Sequence, residues 1–138
     1  MPHHTIRVLV VDDEPRFREN LVTLLTLRGF AVNAAENGAR ALALLADHPF
    51  DVVVLDMRMP ELDGGKTMRA MQALPAPPAC IILTGHASFE EAVEGVRHGA
   101  ADYLLKPCST DELEERILRA FERLREQRGG GPGNAADL

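Results

Sequence analysis

The chain is poor in three features that would each have fixed its class. It has two cysteines in 138 residues, Cys80 and Cys108. Two thiols without a secretion signal do not make a disulfide framework, and Cys80 lies in an apolar run that reads as core. The opening residues, MPHHTIRVLVVDDE, turn acidic at once and hold no long apolar stretch, so they do not read as a secretory leader. No run approaches the roughly 18 apolar residues that span a bilayer. A reducing cytoplasm is the expected compartment. Positive charge is also in deficit: 15 Lys and Arg against 21 Asp and Glu leave a net charge of -6. An isolated DNA-binding domain would show a basic face, so direct contact with nucleic acid is not expected. An anionic membrane surface is an equally poor partner.

Apolar residues make up 46% of the chain. That supplies a core without staples, and the length fits one domain. Short apolar runs alternate with helical periods. Ile6 to Val11 is continuous and β-branched, as in a strand buried on both faces. Asp12-Asp13-Glu14-Pro15 breaks it. Phe17, Leu21, Leu24 and Leu25 then recur at helical spacing until Gly29. Ala31 to Ala34 is a weak second strand. Asn37-Gly38 opens a helix carrying Leu42 and Leu45, and Asp51 to Leu55 is a third strand. Met68, Met71 and Leu74 share a helical face that ends at Pro75 to Pro78. Cys80 to Leu83 is a fourth strand.

Phe89, Val93 and Val96 mark a fourth helix, within which Gly95 costs about 1 kcal/mol relative to alanine. Ala101 to Leu105 is a fifth strand, cut by Lys106-Pro107. Ser109 or Thr110 caps a fifth helix with Leu113, Ile117, Ala120 and Leu124 inside. Glu112 with Arg116 and Glu115 with Arg119 form favourable pairs outside. The expected domain covers residues 1–126. Residues 127–138, QRGGGPGNAADL, are Gly-rich and read as a flexible tail or cut linker.

Strands separated by helices imply right-handed crossovers and a parallel sheet. Sites in such sheets form beyond the carboxyl ends of strands, at the switch point of the topology. Strand one ends in Asp12-Asp13, strand three in Asp56, strand four in Thr84 and strand five in Lys106. With a spatial order of 2-1-3-4-5 these residues converge in one cleft. Each has a plain alternative when taken alone. Asp12-Asp13 could be a strand-ending turn, Asp56 a helix cap, Thr84 a backbone-bonded hydroxyl and Lys106 a solvated lysine. Their joint placement at four strand ends favours a site.

Three clustered carboxylates repel, and a divalent cation relieves them. Oxygen-only ligands in a half-open site suit Mg²⁺. Lys106 offers a positive point charge to a phosphoryl group, and Thr84 a donor. A carboxylate nucleophile would give an aspartyl phosphate.

VLVVDDE, VVVLDMRMPELDG, IILTGHAS and GAADYLLKP, in that order and spacing, resemble the receiver domains of two-component response regulators. The last two stretches look like nitrogen-regulation and nodulation-type regulators. The resemblance covers residue 5 to about 126. It implies a flavodoxin-like doubly wound (βα)5 α/β fold and a signalling domain that catalyses only its own phosphorylation and dephosphorylation. It assigns Asp56 as phosphoacceptor, and Asp13, Asp56 and the Arg58 backbone carbonyl as Mg²⁺ ligands, with Asp12 acting through water. Thr84 and Tyr103 would be the switch pair, and Lys106 the phosphate contact. Lys106-Pro107 would be the cis peptide that aims it. Arg58 and His86 would tune the phosphate lifetime.

The implied partners are a sensor histidine kinase or phosphotransfer protein and a downstream protein or effector domain. A homodimer would use the fourth helix, fifth strand and fifth helix. Nothing after residue 126 reads as an effector, and Cys108 replaces the aromatic residue common after Lys-Pro in winged-helix regulators. Two other readings compete. A haloacid-dehalogenase-type phosphatase needs a second Asp two residues past the nucleophile, where this chain has Arg58. A degenerate receiver acting as a binding module would not need the complete acidic pocket.

Overall fold

The structure is a computed structural model that describes residues 5–57, 64–85, 93, 95–97 and 99–129. Its strands are β1 (Arg7–Val11), β2 (Ala31–Ala35), β3 (Val52–Leu55), β4 (Ala79–Thr84) and β5 (Asp102–Leu105). Between them run α1 (Pro15–Leu27), α2 (Gly38–Asp47) and α3 (Gly64–Gln72), and a C-terminal helix spans Thr110–Gln127. Residues 93 and 95–97 are also helical; Phe89, placed on the same helix by its spacing, lies outside the described residues. All pairings are parallel and the order is β2-β1-β3-β4-β5, the doubly wound arrangement the sequence implies.

The sheet is buried on both sides because successive strand residues face opposite ways. Val8, Val10, Val52, Val54, Ile81 and Leu83 meet α1 and the C-terminal helix through Leu21, Leu25, Ile117 and Phe121. Leu9, Val11, Val53, Leu55, Cys80 and Ile82 meet Met68 and Met71 on the other face. Caps agree with local sequence. Asn37 accepts from the Arg40 amide and Ser109 from the Glu112 amide, while Pro15 opens α1.

The helical stripes differ from the expected ones in detail. Leu24 is exposed on α1, where Leu21 and Leu25, four apart, face the core. On α2 the buried residues are Gly38 and Ala41, and Leu42 and Leu45 are half-buried. A methyl lets that helix approach the sheet more closely than leucine would. Phe121 joins the inner stripe of the C-terminal helix. Arg116 pairs with Asp102 at 2.7 Å and only loosely with Glu112, at 3.6 Å. Gly95 is a packing glycine: a Cβ there would overlap Ile82 Cδ1 and touch the Tyr103 ring. Close helix–sheet contact therefore explains a residue that intrinsic propensity disfavours.

Burial pushes the Cys80 thiol up to about 12 from an ordinary 9.0. A raised folded-state pKa stabilises the fold fully below pH 9 and loses that contribution as pH climbs toward 12. At about 1.4 kcal/mol per unit, the loss is at most about 4 kcal/mol. Unfolding free energies measured against pH are expected to fall across this window in the wild type. The difference between wild type and Cys80→Ala should carry the same slope, and a flat difference would contradict the assignment.

Candidate functional site

The sheet ladder continues one residue past the carboxyl ends of three strands. The Asp12 amide donates to Ala35 O at 3.2 Å, the Asp56 amide to Val11 O at 3.0 Å and the Lys106 amide to Thr84 O at 2.9 Å. These bonds carry Asp12, Asp56 and Lys106 over one rim of the sheet in the order of their strands. Thr84 is the last residue of β4 and is fully buried. Asp12 and Asp56 are 2% and 8% exposed, whereas Asp13 faces solvent. Carboxylate oxygens of Asp12, Asp13 and Asp56 lie within 4.8 Å of one another.

Lys106 sets the electrostatics. Its Nζ is 2.7 Å from Asp12 Oδ2 and 3.6 Å from Asp56 Oδ2. Burial lowers its pKa, but the hydrogen bond and charge of Asp12, with the charges of Asp56 and Glu14, outweigh that and hold the ammonium above the ordinary lysine value. The lysine is therefore a fixed cation. The Lys106–Pro107 peptide is cis. Tyr103 on β5 is half-buried beside the second core cluster. Arg58 and His86, the expected tuning pair, lie outside the described residues.

Three contacts were not legible as part of the site. The Phe17 ring lies 4.0 Å under Lys106 Nζ, a cation–π platform from the first turns of α1. Its spacing marks it only as a helix-face apolar residue. Arg18 Nη1 donates to Asp12 O at 2.8 Å, and the Glu14 amide donates to Asp12 Oδ1 at 2.9 Å. Both lock the acidic turn, and both come from residues whose types signal only a helix start.

Three clustered carboxylates, two of them beside the Lys106 ammonium, leave an excess of negative charge. Removing one should relieve repulsion and also remove one of the oxygens that could hold a cation. Asp13→Asn is expected to raise the melting temperature in chelator, by the equivalent of about 1 kcal/mol from one close charge pair near the surface. If the cluster holds Mg²⁺, millimolar Mg²⁺ should stabilise the wild type and stabilise this variant much less. Equal Mg²⁺ stabilisation in both proteins would remove Asp13 from the metal site.

The response regulator receiver domain family matches residues 8–118. The regulatory protein AtoC of Escherichia coli strain K12 is 45% identical over 117 residues, covering 84% of this chain and 25% of that protein. Response regulator MprA of Mycolicibacterium vanbaalenii is 38% identical over 130 residues, covering 94% of this chain and 56% of that protein. The chain thus spans about a quarter to about half the length of these relatives.

The crystal structure of FixJ-N superposes with a TM-score of 0.81 at 35% identity, covering 87% of this chain and 96% of that one. The solution structure of the beryllofluoride-activated NtrC4 receiver domain dimer gives 0.80 at 33% identity, covering 86% and 98%. No helix among the described residues is long and apolar enough to cross a membrane. Motifs, strand order, the acidic rim and these relatives agree, and the chain belongs to the receiver domains of two-component response regulators.

Proposed function

We propose that the chain accepts a phosphoryl group on Asp56 from a phosphohistidine of a sensor kinase or phosphotransfer protein. The observation that carries this is the meeting of the Asp12, Asp13 and Asp56 carboxylates at the strand ends, with the Lys106 ammonium beside Asp12 and Asp56. An Asp56 carboxylate oxygen attacks phosphorus, the donor's P–N bond breaks, and the imidazole leaves. Lys106, 3.6 Å from Asp56 Oδ2, is placed to exchange part of its bond to Asp12 for the new phosphoryl oxygens. Water later hydrolyses the acyl phosphate and restores the carboxylate.

The donor set fits Mg²⁺, being all oxygen, partly exposed and in negative excess. Asp13, Asp56 and the Arg58 carbonyl would hold the ion, with Asp12 acting through water. Bound there, it would neutralise charge on the transferring oxygens.

The switch reading assigns Thr84 the hydroxyl that moves toward the phosphoryl group, with Tyr103 filling the space behind it. Burial of Thr84 and half-burial of Tyr103 on neighbouring strands support this pairing. The shift would be between two pre-existing surfaces. Exposed Val93, Val96 and Leu105 favour an apolar output or homodimer face around β5. Arg58 and His86 would guard the approach of water, and replacing either with alanine should change the dephosphorylation rate.

Intact mass after incubation with acetyl phosphate tests the core of the proposal. A gain of one phosphoryl group in Mg²⁺, lost in chelator, is the expected result. No gain, with beryllofluoride leaving the protein unperturbed, would leave a constitutive binding module.

A further inference from the structure

At the end of the sheet opposite the acidic rim, a second buried carboxylate organises a different network. Asp51 immediately precedes β3, as Asp56 follows it, and is 2% exposed. It accepts from the Arg7 amide at 2.8 Å, from Arg7 Nε at 3.2 Å and from Arg7 Nη2 at 3.1 Å. A second guanidinium reaches the same group from the far end of the chain. Arg128 Nη1 lies 3.9 Å from Asp51 Oδ1, and Arg128 Nη2 donates to Ala76 O at 3.2 Å and Pro77 O at 3.1 Å. Arg128 is the C-cap of the 18-residue C-terminal helix, its amide bonded back to Leu124 O. Gly129 follows in the left-handed region, φ 73°, where the helix stops.

Arg128 therefore bridges three segments that share no sequence neighbourhood: the helix end, the start of the central strand and the α3–β4 loop. Its planar fork suits two carbonyls and a carboxylate at once, a task a lysine's point charge does less well. Helix ends fray unless tied down; Leu124 is the last buried residue of this helix, Arg125, Glu126 and Gln127 after it are all exposed, and the Arg128 side chain ties the end beyond them.

We propose that Arg128 is a positioning residue, a latch that fixes the direction in which the polypeptide leaves the domain. It acts at the end of the sheet opposite the acidic rim and independently of the phosphoryl chemistry. A segment joined beyond Gly129 would be held at the end of the domain opposite Asp56 by this contact, and would swing freely without it.

The test uses the full 138-residue chain. Amide exchange, backbone order parameters and residual dipolar couplings are measured for wild type, Arg128→Ala and Arg128→Lys. In the wild type, the Arg128 and Gly129 couplings should fit the alignment of the rest of the domain. In Arg128→Ala they should not fit, order parameters there should fall from about 0.85 toward 0.6, and exchange over residues 124–129 should rise about tenfold. Residues 113–121 should be unchanged, and acetyl phosphate labelling should match wild type. Arg128→Lys should recover only part of the order. Unchanged couplings in Arg128→Ala would overturn the proposal. So would exchange that rises equally along the whole helix, because that reports general destabilisation and not a latch.

Discussion

Asp56→Asn is expected to take up no phosphoryl group from acetyl phosphate while keeping its fold. The loss should be complete, because an amide oxygen is too weak a nucleophile to replace the carboxylate. The structural cost should be small. Asparagine preserves the shape, the strongest bond of Lys106 goes to Asp12 at 2.7 Å and not to Asp56 at 3.6 Å, and removing one of three clustered carboxylates lowers repulsion. Intact mass and a thermal melt on the same sample separate the two effects. Residual Mg²⁺-dependent labelling would move the nucleophile to Asp12 or Asp13, whose oxygens lie within 4.8 Å. A collapsed melt would make Asp56 a structural residue first.

At the other end of β3 the expectation reverses. Asp51→Ala should damage the fold and leave the chemistry of the surviving folded molecules intact. The carboxylate is buried and takes three hydrogen bonds from Arg7, so its removal strands an amide and a guanidinium. Breaking a buried pair costs on the order of 3–5 kcal/mol. The Arg7 side chain is 35% exposed, and water can reclaim part of that, which places the loss near the lower bound. Even about 3 kcal/mol is a large share of the roughly 5–15 kcal/mol that holds a domain together. Urea unfolding should show a lower midpoint with an unchanged slope. A loss below about 1 kcal/mol would mean that solvent replaces the carboxylate fully.

These two aspartates show where sequence reading stops. Both flank the same apolar run, VVVL, and both are buried. Nothing local tells them apart. Asp56 could be singled out because it lies at the carboxyl end of a strand, on the same rim as Asp12, Thr84 and Lys106, where parallel sheets place their sites. Asp51 lies at the other end, and its partners Arg7 and Arg128 come from the two extremities of the domain.

Periodicity fixed more than chemistry. Alternating β-branched runs and helical stripes gave the element types and, through the rule on parallel crossovers, the layered sheet. Those signals are local, since each residue's burial depends on its own strand face or helix turn. The residue types at four strand ends then defined the chemistry, because carboxylate, hydroxyl and ammonium groups differ in kind.

Tertiary structure decided which of these groups are partners. Lys106 bonds Asp12 across 94 positions, not primarily Asp56, and rests on Phe17, which by spacing was only a helix-face residue. Gly95, a liability in a helix by propensity, lies so close to the sheet that a methyl there would displace the tip of Ile82. Leu24 and Ala41 exchange their expected burial with neighbours because each helix axis is set by the sheet beneath it. Pair choice of this kind is a property of packed surfaces, and no single stretch of sequence encodes it.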